Sequence, residues 1–405
     1  MAGIAEIELA HSRGIAPWRA TVAALSANLV GIGLARFGYT PLIPALIAAG
    51  WFTPAAAIYL GAANLAGYLA GALGAWTIAC RLGVSATLRF AMLLTAATLF
   101  ACADPLGFWW FFPWRLISGV TGGILMALAA PSVLPRIAPE RRGVAGGVIF
   151  TGVGLGIAAS GTLVPLLMRW GLAQTWFGLG GIALVLTFLA WHGWPQSEAV
   201  NREVPRGRAT ASSLALRALY MEYALNAVGL VPHMVFLVDF IARGLGQGLH
   251  AAAGYWVLFG IGALVGPLVG GHLGDRIGFG RTLRLAFAVQ MICVVLPIAT
   301  TSSVGLAISS FVVGAFVPGI VAITIGRVRE LSPAEPAVQA ASWGLCTTAF
   351  AIGQAIAGYG FSYIFAHSGS GYGPLFLLAA AALLLALAVD LAFAPRSNRA
   401  SRPLS

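Results

Sequence analysis

Long apolar runs recur along this chain at close intervals, and they are what most restricts its possible folds. A bilayer's hydrocarbon core takes about 20 apolar residues per helix. On that length, spans fall near 19–48, 54–79, 86–103, 107–134, 143–168, 173–194, 212–242, 250–273, 282–301, 303–326, 337–366 and 372–394. Only 9% of residues are charged and the mean hydropathy is +0.90, whereas a soluble domain carries roughly 25% charged residues. The expected fold class is therefore all-α and integral to the membrane, with twelve transmembrane helices in contact with the lipid bilayer.

The pI near 10.3 raises the possibility of a nucleic-acid partner, which the distribution of charge excludes. The chain has no lysine, and its arginines are spaced between apolar runs, so the charge reads as topology. With the N-terminus cytoplasmic, 19 of the 23 arginines fall on the cytoplasmic side, Arg169 and Arg243 fall outside, and Arg36 and Arg115 lie within spans. The positive-inside rule then gives a multi-pass protein of the inner membrane with both termini cytoplasmic. Residues 1–17 form a mixed polar tail, and the first apolar run is too long for a signal peptide, so the first helix is expected to stay as an uncleaved anchor. Cys80, Cys102, Cys293 and Cys346 fall in four different segments without CxxC pairs, so they read as small apolar residues; no metal site and no cofactor is expected.

The longest polar stretch, Pro195 to Ser213, divides the chain into residues 1–194, a cytoplasmic linker at 195–211, and residues 212–405. The halves resemble each other. "RLGVSATLRFA" from Arg81 and "RIGFGRTLRLA" from Arg276 share six of eleven residues at an offset of 195, and Gly67, Gly71 and Gly119 find Gly262, Gly266 and Gly314 at the same offset. Such parallel repeats imply two pseudo-symmetric six-helix bundles.

At the end of the eighth span, "GHLGDRIGFGR" (Gly271 to Arg281) resembles the GxLxDRxGrr loop signature of the major facilitator superfamily. Asp275 can pair with arginines at neighbouring helix ends, so Gly271, Asp275, Arg276, Gly278 and Arg281 are expected to form a cytoplasmic gating loop. The matching loop of the first half keeps Arg81 and Gly83 but has Cys80 in place of the aspartate. In the fourth span, "RLISGVTGG" from Arg115 resembles the superfamily's RxxxGxxxG element, whose arginine that resemblance assigns to proton coupling or to contacts with the first helix. "ARFGYTPLIP" from Ala35 and "NLAGYLAGAL" from Asn64 look like the opening of the YbfB/YjiJ group within the superfamily. The resemblance implies a major facilitator fold working by alternating access.

Other pattern matches carry less. "GALVGPLVGG" from Gly262 fits an antiporter pattern but sits in the eighth span instead of the fifth, so it reads as helix packing. The fifth span lacks the Gly-Pro pair of drug antiporters. "GLGIAA" at Gly154 fits a loose dinucleotide pattern with no strand before it.

A charge at a helix centre costs about 2.5 to 3.5 kcal/mol on insertion scales and normally faces a bundle interior or a water-filled cavity. Arg36 and Arg115 are such charges, placed to face one cavity; the structural alternative is that Arg115 bonds carbonyls of the first helix. Tyr39, Asn64 and Trp343 are candidate substrate contacts, with helix packing as the alternative for each. In the seventh span Glu222, Asn226, Gly229 and His233 share a helical face and are expected to line the cavity from the second half. Asn226 is assigned to substrate, and Glu222, His233 and Arg115 to proton coupling.

Two arginines without an evident counter-charge favour a carboxylate or similar anion, because the guanidinium forms forked bonds to planar anions. The leading expectation is a monomeric secondary active transporter moving a small organic anion with protons. The alternatives are a proton-driven exporter of drugs or metabolites and a non-transporting membrane sensor. An enzyme would need clustered catalytic groups, and the sequence offers none.

Overall fold

A computed structural model describes residues 16–138, 141–195, 213–332, 336–369 and 371–393. It is all-helical, with twelve helices long and apolar enough to span a membrane. In the first half these are α1 (Pro17–Ala48), α2 (Pro54–Leu82), α3 (Val84–Ala101), α4 (Phe108–Arg136), α5 (Val144–Leu167) and α6 (Leu172–Ala190). In the second they are α7 (Leu214–Gly244), α8 (Gly248–Ile277), α9 (Phe279–Ala299), α10 (Ser303–Leu331), α11 (Ala341–His367) and α12 (Gly373–Phe393). The expected linker at 195–211 lies outside the described residues except for Pro195, as do Arg13, Arg202, Arg206, Arg208, Arg396, Arg399 and Arg402.

The repeat seen in the sequence is a repeat of backbone contacts. A Cβ added to Gly67 would lie 2.0 Å from Leu116 O, and one added to Gly262 would lie 2.0 Å from Phe311 O. Gly71 stands likewise 2.0 Å from Val120 O, and Gly266 1.8 Å from Ala315 O. From the other side, Gly119 approaches Asn64 O at 2.1 Å and Gly314 approaches Phe259 O at 2.1 Å. Each pair is separated by the same 195 residues. Thus α2 packs on α4 as α8 packs on α10, at distances only glycine allows. The Gly-Pro run from Gly262 serves this packing.

Single glycines join α2 to α3 and α8 to α9. Gly83 has φ +81 and ψ 145, and Gly278 has φ +86 and ψ 143, a region essentially closed to other residues. Gly278→Ala is therefore expected to cost about 1 to 3 kcal/mol, read as a lower melting temperature of the detergent-solubilised protein.

The two halves touch along α2 with α11 and α5 with α8. Tyr59 and Tyr359 have ring centroids 6.3 Å apart. Gly154 packs on Leu264, Gly260 on Ala158 and Gly161 on Val257. Trp256 Nε1 donates to Ser160 Oγ at 3.1 Å, and Thr40 Oγ1 donates from α1 to Met234 O on α7 at 2.6 Å. These contacts run from the middle of the helices toward the face on which α1 and α7 end, so the halves are closed on that face. There Asp239, fully buried, accepts from Arg243 Nε and Nη2 and from Tyr372 Oη. Burial, with the Asp239 carboxylate alongside, holds the Tyr372 hydroxyl above its ordinary pKa, so it remains a donor.

Candidate functional site

The centre of α1 is broken. An α-helix to Asn28 gives way to a π-helix over Leu29–Leu34, then to a 3-10 helix over Phe37–Leu42 containing Pro41. Proline lacks an N–H and clashes with the preceding turn, so the regular bonding pattern cannot continue through it. The Tyr39 N–H turns to Arg36 O at 3.3 Å, leaving the Ala35 carbonyl without the donor four residues on. Arg115 supplies the replacement: Nη1 of this 2% exposed arginine donates to Ala35 O at 2.8 Å. The guanidinium also lies 4.1 Å from the Tyr39 ring centre, in the geometry of a cation–π contact. The structural alternative read for Arg115 is thus present in the structure.

Arg36 sits at the end of the π-helical segment, only half-buried. Its Nη2 donates to Gln354 Oε1 on α11 at 2.8 Å, and its guanidinium carbon lies 5.0 Å from the Tyr68 ring centre. Asn64 holds the neighbouring turn of α4 through Arg115 O and Ser118 Oγ, both at 3.3 Å. Tyr39 Oη donates to Ala57 O at 2.8 Å. Arg36, Tyr39, Asn64, Arg115, Thr40 and Met234 meet around a cavity of about 10 Å³, the size of one water. Neither Arg36 nor Arg115 has a carboxylate within 4.0 Å among the described residues, and the Nε of each is buried without a hydrogen-bond partner. Two positive charges therefore stand uncompensated where the halves meet.

The stripe on α7 turns elsewhere, which corrects the expectation that it lines this cavity. Asn226, fully buried, donates to Gln290 Oε1 on α9 at 2.7 Å. His233, also fully buried, lies 2.8 Å from Ser309 Oγ on α10 and edge-on to Phe376 on α12. Because Ser309 Oγ donates to Cys293 O at 2.6 Å, it must accept from His233, which places the ring proton on Nε2. The stripe faces the interior of the second half, where α9 and α10 supply polar partners. Glu222 is 3% exposed and lies within electrostatic reach of Asp390, Arg327 and Arg284. Arg284 is paired with Asp390. Trp343, on the half-buried face of α11, packs against Tyr223 with centroids 6.0 Å apart.

The gating loop also differs from expectation. Asp275, Arg276 and Arg281 are exposed, and Asp275 forms no ion pair among the described residues. A Cβ at Gly271 would meet nothing within 4 Å. Glu330 ties α10 to α9, its Oε1 accepting from Phe279 N at 2.8 Å, while its Oε2 pairs with Arg327 of the same helix at 2.8 Å. The tight Gly278 turn brings the start of α9 to the end of α10, where a carboxylate caps the free amide of the helix N-terminus.

Sequence reading missed Gln354, which is 2% exposed and joins Arg36 to the second half. A lone amide in "FAIGQAIAGYG" is the one available signal.

Twelve spans in two related halves around a buried polar centre define a transporter of the major facilitator class. Residues 28–391 match the family described as "Uncharacterised MFS-type transporter YbfB", and the chain belongs to that family. It is 24% identical over 371 residues to a Haemophilus influenzae protein named for metabolite transport, covering 85% of this chain and 87% of that one. It is 27% identical over 298 residues to the 3-(3-hydroxy-phenyl)propionate transporter of Escherichia coli, covering 67% of this chain and 70% of that one. The fold is similar to that of a peptide transporter, POT, solved with sulfate (TM-score 0.72, 13% identity, 92% of this chain and 94% of that one). It is likewise similar to a D-xylose-proton symporter (TM-score 0.70, 15% identity, 93% and 97%).

Proposed function

We propose that this transporter carries a small organic anion, coupled to protons, by alternating access to a site at Arg36. The observation that carries the reading is the pair of arginines at the junction of the halves, Arg115 buried and Arg36 half-buried, with no carboxylate partner among the described residues. Arg36 is the anion contact. Arg115 adds positive charge beside it and holds the break in α1, and Tyr39 and Asn64 keep Arg115 in place. That an Escherichia coli relative is named for transport of an aromatic carboxylate supports the same class of substrate.

For the proton, Glu222 is the carrier we favour. It is a buried carboxylate close to the Arg284–Asp390 pair, where arrival of a proton changes the balance of charge in the second half. His233 is enclosed by its bond to Ser309 and has a positioning role in this reading. In this reading the arginine-rich face is the cytoplasmic side of the inner membrane, and the contacts that close the halves lie toward the opposite, periplasmic side.

Uptake of labelled 3-(3-hydroxyphenyl)propionate into proteoliposomes tests the proposal. An acidic exterior is expected to accelerate uptake several-fold, and a protonophore to remove the acceleration. Uptake of amines in place of carboxylates, or rates indifferent to the gradient, would contradict it.

A further inference from the structure

Arg36 is using one donor of an edge shaped for two. In an arginine, Nε–H and one Nη2–H project in parallel from the same side of the planar guanidinium, spaced to meet both oxygens of a carboxylate. This protein displays that pairing elsewhere. Arg243 donates from Nε to Asp239 Oδ1 at 2.5 Å and from Nη2 to Asp239 Oδ2 at 2.7 Å. On Arg36 the corresponding edge meets a single oxygen, Gln354 Oε1, at 2.8 Å from Nη2, while Nε is buried without a partner. The Gln354 amide nitrogen points to Met234 Sδ at 3.6 Å, a weak acceptor. One amide thus joins α1, α11 and α7.

We propose that Gln354 is the placeholder and release switch of the Arg36 site, an inference that rests on the anion reading above. Its amide oxygen occupies one of the two positions that a substrate carboxylate takes on the Nε/Nη2 edge. The arriving anion satisfies both donors and displaces it, which detaches α11 from α1. A neutral oxygen suits this task, because it orients the guanidinium without cancelling its charge, and bonds to an ionised acceptor are roughly twice as strong as neutral ones. A carboxylate in the same position would hold both donors, as Asp239 holds Arg243, and would shut the ligand out. Since the Arg36–Gln354 bond crosses between the halves, its displacement ties binding to release of their closure.

Two measurements test this on the purified full-length protein. In the first, thermal stabilisation by 3-phenylpropionate is titrated for wild type, Gln354→Glu and Gln354→Ala. The glutamate variant is expected to lose apparent affinity by ~100-fold or more, with an unliganded melting temperature no lower than that of wild type. The alanine variant, freed of the competing oxygen, is expected to bind on the order of tenfold tighter. In the second, hydrogen exchange without ligand is expected to be faster in Gln354→Ala than in wild type over 37–48 and 354–367. Binding by Gln354→Glu equal to wild type, weakened binding by Gln354→Ala, or unchanged exchange would overturn the inference. Failure of the anion reading looks different: wild type is then not stabilised by the carboxylate, while exchange in Gln354→Ala is still raised.

Discussion

Gly266→Val is expected to leave no folded transporter to purify. The first added carbon alone would stand 1.8 Å from Ala315 O and 2.6 Å from Ala315 C, and these are backbone atoms with no rotamer to move. Relief requires α8 and α10 to separate along an interface that also seats Gly262 and Gly314 against backbone. Overpacking of a well-packed core typically costs about 1 to 3 kcal/mol where side chains can yield, and here none can, so the penalty exceeds that range. Fluorescence-detected size-exclusion chromatography in mild detergent reads the result as loss of the monodisperse peak. Gly254→Val is the control, because a Cβ there meets nothing within 4 Å. A Gly266→Val protein that elutes and melts like wild type would refute the assignment of the repeated glycines to helix contact.

Arg36→Ala is expected to abolish carboxylate uptake while the protein still folds. The side chain is half-buried and donates to a neutral amide, so removing it leaves Gln354 to reorient and strips no buried carboxylate of its partner. The bound anion, by contrast, loses its charged partner. Truncating one member of a hydrogen-bonded charge pair costs about 2 to 5 kcal/mol, or roughly 30- to several-thousand-fold in affinity. Arg36→Lys keeps the charge but not the fork, and uptake should recover only in part. Arg115→Ala is expected to behave differently, because Ala35 O loses its donor and the broken segment of α1 its support. That variant should lose thermal stability together with transport.

Most of the architecture could be read from the sequence because its causes are local. Run length sets the spans, and the 195-residue offset of Gly67, Gly71 and Gly119 from their counterparts announced contacts that recur in both halves at distances within 0.2 Å of each other. Arg36 and Arg115 stood out because a charge in an apolar run has few places to go. The stripe of Glu222, Asn226 and His233 was grouped correctly on one helical face but assigned the wrong neighbours. Helical spacing tells which residues share a face and says nothing about what that face meets. Its partners Gln290 and Ser309 lie 64 and 76 residues further along the chain from Asn226 and His233. Gln354 was invisible for the same reason, its bond to Arg36 spanning 318 residues. Asp275 drew attention through its motif, yet the carboxylate that closes the turn is Glu330, whose relation to Phe279 depends on how α9 and α10 lie together.

The central claim, that uncompensated arginine charge at Arg36 selects an anion, meets its most direct test in equilibrium binding. Purified protein is titrated with a panel of small aliphatic and aromatic carboxylates, each paired with its neutral carboxamide of nearly the same shape. At least one acid is expected to bind ~30-fold or more tightly than its amide, a difference of about 2 kcal/mol, and Arg36→Ala is expected to erase the difference. Equal affinity for acid and amide across the panel, or preference for amines, would contradict it.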